Sequence, residues 1–366
     1  MSGLYIHVPF CKSKCAYCDF YSLPRINDYM ARYLKALSVE WHMRRGEVDD
    51  IGTIYIGGGT PSVLSPEALA ELGRWLPVSN RVNEFTIEVN PDDVEEELIE
   101  QWLRLGVNRV SMGVQSLNDA ELKTIGRRHD GARAIHAAHK LKDHFENISL
   151  DIILGLPGQS LQSLEQTLTE IICLKPQHLS VYILSYEAGT RLSVWRDKGI
   201  VSEASDELIE QMYHMTCSML SDAGYKHYEI SNFALPGFSS KHNSSYWNNT
   251  PYLGLGPSAH SFDGKARRFN PSNINQWLVA LERSSLPCQV EKETDTNIVN
   301  DIIMTRLRTA AGLDLDDIPE RFRGVLLSNI ETVPYGRLVR QGNVITIPER
   351  QWLLSDDTIA RLFIDT

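Results

Sequence analysis

The sequence predicts an α/β chain, a partial parallel β/α barrel of about six units followed by a smaller, mainly helical, winged-helix-like domain. Three observations carry that expectation. Up to about residue 186, short apolar runs alternate with amphipathic stretches; polar residues collect just past the ends of those runs; and beyond about residue 290 helices surround one short hairpin. A length of 366 residues suits one large domain with a smaller one attached.

Taken in order, the strand candidates are Leu4 to Val8, Thr53 to Ile56, Glu84 to Val89, Arg109 to Val114, Ser149 to Leu154 and His178 to Leu184. Helix-like segments separate them. In one of these, Val94, Leu98, Trp102 and Leu105 recur at a spacing that turns one apolar face toward a sheet. A bridge follows over 187–290, with a helix expected from Asp206 to Leu220, a strand from Tyr225 to Ile230 and a loop punctuated by Pro251, Gly254, Gly256 and Pro257. That loop is expected to turn closely across the open side of the barrel. The last stretch, 291–366, reads as a helix from Asn297 to Leu307, a turn at Leu313 to Leu315, a hairpin from Leu338 to Ile347 around Gln341-Gly342-Asn343, and a final helix from Ser355 to Phe363.

The chemistry-bearing residues fall at the strand ends. Cys11, Cys15 and Cys18 form a CxxxCxxC array after the first strand, and Gly57-Gly58-Gly59-Thr60-Pro61-Ser62 follows the second. Glu88 and Asn90 end the third, Gln115 ends the fourth, and Asp151 lies in the fifth ahead of Gly155-Leu156-Pro157-Gly158. Parallel β/α folds assemble their ligand sites at the carboxyl ends of strands, so one rim would gather all of these. Three thiolates can hold three irons of a 4Fe-4S cluster and leave the fourth open to a small molecule. A zinc knot would need a fourth ligand, for which His7 is the near candidate, and zinc-type pairs are absent. A disulfide would suit a secreted chain, yet there is no secretory apolar segment. Cys173, Cys217 and Cys288 stand singly among apolar neighbours and read as inert.

Composition narrows the partners. A net charge of −11 argues against binding a phosphate backbone, with Arg127-Arg128 and Arg267-Arg268 as the densest basic runs. No apolar run reaches the length of a membrane span, and no transit-type segment precedes the cysteine loop, so a cytoplasmic setting is expected, with peripheral membrane contact left open. Monomer and dimer are both open.

The motifs also carry a resemblance. CxxxCxxC, then Gly-Gly-Gly-Thr-Pro, then Glu-x-Asn-Pro, then Gly-Val-Gln-Ser resembles the radical S-adenosylmethionine superfamily over the whole barrel region. The resemblance implies a 4Fe-4S cluster on Cys11, Cys15 and Cys18 whose open iron chelates S-adenosylmethionine. It implies that Tyr5 and the Tyr17 backbone flank that cofactor, and that Gly58, Gly59 and Thr60 hold its amino group. Glu88 would take the amino or ribose side, with Gln115, Arg127 and Asp151 completing the pocket. The adjacent Arg128 leaves open whether both arginines are simply solvated.

A closer resemblance, carried by YIHVPFCKSKCAYCDF, GRRHDGARA, DIILGLPGQS and YEISNFALPGFSSKHNSSYWNN, is to the coproporphyrinogen III oxidase-like branch, which holds oxygen-independent oxidases and haem chaperones. Phe20 stands where the oxidases carry a fourth cysteine, the chain starts on its first strand where they carry an extension, and His242 to Trp247 fits the chaperones' HNxxYW pattern. These features imply a chaperone that binds haem b through His242 and delivers it to acceptor haem proteins, respiratory enzymes among them, with no catalytic residue assigned. His227 and His260 are candidates for a second axial position. The rival is oxidative decarboxylation of coproporphyrinogen III propionates; a radical enzyme acting on another substrate is more remote.

Overall fold

The computed structural model describes residues 1–24, 26–79 and 81–365. The six expected strands are present as β1 (Ser2–Val8), β2 (Ile51–Gly58), β3 (Glu84–Val89), β4 (Arg109–Gln115), β5 (Ile148–Leu154) and β6 (His178–Ile183). They lie side by side in chain order, each parallel to the next. Because helices cover such a sheet, its strands are buried on both sides and read as apolar runs. Leu4, Ile6, Ile54, Ile56, Phe85 and Ile87 are fully inaccessible to solvent. Each such burial stabilises the fold by about 1.5–3 kcal/mol.

The stretch read as a bridge does more than cross the barrel's open side. It supplies β7 (Lys226–Glu229), β8 (Asn232–Ala234), β9 (Tyr252–Leu255), β10 (His260–Phe262), β11 (Ala266–Phe269) and β12 (Gln289–Lys292), the last running just past the expected boundary. Among the described residues the sheet has twelve strands in the order β12-β11-β10-β9-β1-β2-β3-β4-β5-β6-β8-β7, and its two ends stay apart. The Gly254 segment, expected as a turning loop, is strand β9, paired parallel with β1 from Gly3 opposite Tyr252 to Ile6 opposite Leu255. A buried polar network holds it there. Glu40 accepts from Gly256 N at 2.9 Å, Asn270 Nδ2 at 2.6 Å and Trp277 Nε1 at 3.1 Å. Arg44 pairs with Glu40 at 3.2 Å and donates to the Gly254 carbonyl at 3.1 Å. A buried ion pair is tolerated when its remaining donors and acceptors are satisfied in this way.

Helix Glu96–Leu105 buries Trp102 and Leu105 as expected, together with Ile99, while Leu98 is half-buried and Val94 is buried just ahead of the helix. Beyond the sheet, helices Asp295–Arg306, Glu320–Thr332 and Ser355–Ala360 surround a second sheet of β13 (Leu313–Asp314), β14 (Val339–Gln341) and β15 (Val344–Thr346), with β15 central. The expected turn at Leu313 is thus a third short strand, paired with the hairpin. Helix Glu320–Thr332 has no counterpart in the sequence expectation, because Leu326 is its one fully buried side chain and its apolar stripe is narrow.

Candidate functional site

The carboxyl ends of β1 to β6 enclose a cavity of about 380 Å³. Cys11, Cys15 and Cys18 line one wall; Gly58, Gly59, Thr60, Glu88, Gln115, Arg127 and Asp151 line the rest, together with Tyr17. The cysteine loop is tied down from several sides. Gly59 N donates to the Val8 carbonyl and Thr60 N to the Phe10 carbonyl, each at 2.8 Å, and Ala16 N donates to the Ile125 carbonyl at 2.9 Å. Lys12 meets Asp93 at 2.6 Å, and Ser62 donates to the other oxygen of the same carboxylate at 2.9 Å. Glycine is required at 59: a Cβ there would lie 2.7 Å from the Phe10 carbonyl oxygen and 2.9 Å from that of Val8. Gly58 N donates to Glu88 Oε2 at 3.1 Å. With these amides committed, the turn offers a ligand carbonyl oxygen, which suits an ammonium group.

The sulfur donors fit a cluster better than a single ion. A tetrahedral zinc would draw its sulfurs to about 3.8 Å from one another. Among the described residues the one Cys/His/Asp/Glu group with all ligand atoms within 4.8 Å of each other is Cys217, His227 and Glu349, so at least one pair of the three loop sulfurs lies further apart than that. Two polar groups face them: Thr60 Oγ1 donates to Cys11 Sγ at 3.3 Å, and Arg127 Nη1 approaches Cys15 Sγ at 3.7 Å. Hydrogen bonds of this kind tune a thiolate-bound cluster. Burial pushes the Cys18 thiol up to about 11 and raises that of Cys11, so loading metal displaces protons.

The carboxylates are poised rather than paired off. Burial, with a smaller contribution from Asp151, pushes Glu88 up to about 7, against the Tyr55 hydroxyl donating at 2.8 Å. Burial also raises Asp151, which accepts from Ser111 Oγ at 3.2 Å. Beneath both lies Arg109, 1 % exposed, with Nε and Nη1 lacking hydrogen-bond partners. Its charge favours both ionised carboxylates. At the open strand position it occupies, Gln115 has φ +69°, beside a register shift between β4 and β5. A non-glycine residue in that region costs about 1–3 kcal/mol and clusters at ligand sites.

The two arginines separate. Arg127 is drawn inward, reaching Asn90 Oδ1 at 3.3 Å, the Gly113 carbonyl and Cys15, whereas Arg128 faces Asp92 and Asp93 at 3.5 Å. Tyr5 differs from expectation: its hydroxyl turns to His7 Nδ1 at 3.0 Å, and it is not among the cavity-lining residues.

His242 departs furthest. Expected to ligate haem iron, it lies on helix Lys241–Trp247, 1 % exposed, at the amino-terminal floor of the sheet. Its Nδ1 is 2.8 Å from Thr53 Oγ1, its Nε2 is 2.9 Å from the Tyr246 hydroxyl, and its ring stacks on Tyr55 at 5.1 Å. Glu84 holds the start of that helix, accepting from Lys241 N at 2.8 Å, His242 N at 2.9 Å and Ser240 Oγ at 3.2 Å. Burial lowers His242 to about 3, so the ring is neutral and both nitrogens are engaged. Of the second axial candidates, the His227 side chain is 4 % exposed and packed between aromatic rings, while His260 on β10 is exposed.

Arg109, Tyr55, Asp93 and Ser111 were not among the sequence-derived candidates. For those on strands the signal that could have found them is periodicity: Arg109 and Ser111, like Glu84 and Glu88, sit on one face of their strands at even spacing, whereas Asp93 lies in the turn Pro91–Asp93.

Comparison with known proteins places this geometry. A family model described as the radical SAM superfamily matches residues 5–171. The chain is 36 % identical over 330 residues to the heme chaperone HemW of Bacillus subtilis (strain 168), covering 88 % of this chain and 87 % of that one. It is 31 % identical over 374 residues to the heme chaperone HemW of Mycobacterium tuberculosis (strain ATCC 25618 / H37Rv), covering 98 % and 94 %. In fold it matches coproporphyrinogen III oxidase (HemN) from Escherichia coli, a radical SAM enzyme, at a TM-score of 0.86 and 21 % identity, over 99 % of this chain and 89 % of that one.

Proposed function

The chain belongs to the HemW family of the radical SAM superfamily, and on that premise we propose that it binds haem b and delivers it to acceptor haem proteins, on a scaffold that carries a 4Fe-4S cluster and S-adenosylmethionine. The observation that carries the reading is the end-to-end match with curated haem chaperones, which includes the bridge and the C-terminal unit as well as the cluster loop. When bound, the cluster supplies an iron free of protein ligands, able to chelate the amino acid end of the cofactor.

This chain's residues do the rest. Cys11, Cys15 and Cys18 hold the metal, and the carbonyls of the Gly58-Gly59 turn with ionised Glu88 receive an ammonium. Arg127, fixed by Asn90 and Gly113, suits a carboxylate. Gln115 and Asp151 accept or donate along the remaining edge. A cavity of about 380 Å³ suits one cofactor of this size, at the lower end of ordinary ligand pockets. The tetrapyrrole therefore belongs outside it. Phe20, 62 % exposed at the mouth, stands without a thiol that could act on a substrate there.

Iron ligation by His242 requires the helix Lys241–Trp247 to release its grip on the floor, since neither ring nitrogen is free while Thr53 and Tyr246 hold them. Glu84 sets how readily that happens. Haem titration of the anaerobically reconstituted full chain tests this: Glu84→Gln should speed haem capture by several-fold, and His242→Ala should abolish the histidine-ligated spectrum. Capture unchanged by Glu84→Gln, with the spectrum retained in His242→Ala, would move the haem ligand elsewhere. We place this delivery in the cytoplasm; no helix among the described residues is long and apolar enough to cross a membrane.

A further inference from the structure

Away from the cavity, three potential ligands converge where the sheet edge meets the C-terminal unit. Cys217 comes from helix Asp206–Asp222, His227 from edge strand β7, and Glu349 from the 3-10 turn Glu349–Leu354. We propose that they form a second metal site, which takes a zinc-class divalent cation and clamps the C-terminal unit to the sheet edge. The proposal stands independently of haem delivery.

The spacing is close to what one ion needs. His227 Nδ1 lies 3.9 Å from Cys217 Sγ and 2.8 Å from Glu349 Oε1. Around a tetrahedral zinc those separations would be about 3.5 Å and about 3.3 Å, so shifts of about half an ångström suffice. The other ring nitrogen points the same way. Nε2 faces the Ile230 carbonyl at 3.4 Å, which selects the tautomer that donates from Nε2 and leaves a lone pair on Nδ1. That lone pair meets a carboxylate oxygen, also an acceptor, so a cation must stand between them. Either a proton or a metal can fill that role.

Cys217 favours the metal. A half-buried thiol adds nothing to an imidazolium–carboxylate pair, whereas sulfur, nitrogen and oxygen together suit zinc among the common divalent ions. The ring is held in aim by Phe233, stacked at 3.9 Å, and by Trp352, edge-on at 4.3 Å. Tyr213, 6 % exposed, sets its hydroxyl beside Cys217. Three protein ligands leave a fourth position for water. Glu349, with its side chain 53 % exposed, opens the site to solvent, and the displaced thiol proton leaves by that route.

Two preparations test the site. In the full chain carrying Cys11→Ser, Cys15→Ser and Cys18→Ser, which removes the cluster thiolates, anaerobic Co²⁺ titration should give one equivalent of tetrahedral cobalt with a thiolate-to-cobalt charge-transfer band. Zinc should displace it, Cys217→Ser should remove the band, and Glu349→Gln should weaken binding by about tenfold or more. In the reconstituted holoprotein, metal analysis should find one zinc per chain, lost in Cys217→Ser. No cobalt–thiolate band together with no zinc in the holoprotein, or a band that survives Cys217→Ser, would overturn the proposal and leave a His227–Glu349 ion pair.

Discussion

Glu84 and Glu88 lie four residues apart on β3, and they show what separates the two ends of this sheet. At the floor, Glu84 commits its oxygens to three donors of one helix start, and that helix pins His242 between Thr53 and Tyr246. At the rim, Glu88 faces a cavity with its carboxyl pushed up to about 7 by burial, and three free thiols stand across from it. The same strand therefore carries at its start a carboxylate locked to one helix, and at its end a carboxylate that accepts from Tyr55 and Gly58 and faces a cavity. A parallel sheet can be rigid below and receptive above because backbone pairing fixes both ends while side chains alone set their readiness.

If the rim is the receptive end, the largest effect should come from its thiols. Replacing Cys11, Cys15 and Cys18 together by serine should abolish iron–sulfur absorption after reconstitution, while the floor and the cooperative unfolding transition persist. Gly59→Ala comes next. Its methyl group collides with the Phe10 and Val8 carbonyls, so cluster loading should fall several-fold and the melting temperature should drop, by about 1–3 kcal/mol of stability.

Acid should distinguish the two ends. Ammonium binding needs Glu88 ionised, so S-adenosylmethionine affinity should fall about tenfold per pH unit below about 7, and Glu88→Gln should flatten that dependence. At the floor the sign is set by an imidazole held neutral. The His242 contribution is intact above 6.5, the ordinary imidazole value, and is lost as pH falls toward about 3. Equilibrium unfolding of His242→Ala should show a loss of about 2–4 kcal/mol at neutral pH, from orphaned partners and a cavity, and a weaker acid dependence than the parent chain. A variant as stable as the parent would mean that the floor is not locked by this ring.

The rim was far more legible in the sequence than the floor. Strands β1 to β6 announce themselves as apolar runs, and ligand residues follow each run within a few positions, so chain order alone assembles Cys11, Gly59, Glu88, Gln115 and Asp151. The floor depends on contacts distant in sequence. Strand β9 is four residues long, Tyr252–Leu255, includes a glycine and sits in a segment rich in turn residues; its pairing with β1 spans most of the chain. Helix Lys241–Trp247 is seven residues, too short for an apolar period to show, so the sequence shows no sign that His242 is buried. Arg109, at the head of an apolar run, looks like a solvated strand end, yet in the folded chain it is 1 % exposed.

The central claim is that this scaffold carries haem. Its most direct test is anaerobic incubation of reconstituted, haem-loaded protein with an acceptor apo-haem protein, run beside an assay for protoporphyrinogen IX and 5′-deoxyadenosine from coproporphyrinogen III. Stoichiometric movement of haem to the acceptor with no decarboxylated product is the predicted result. Repeated turnover of coproporphyrinogen III by protein that retains no haem would contradict it.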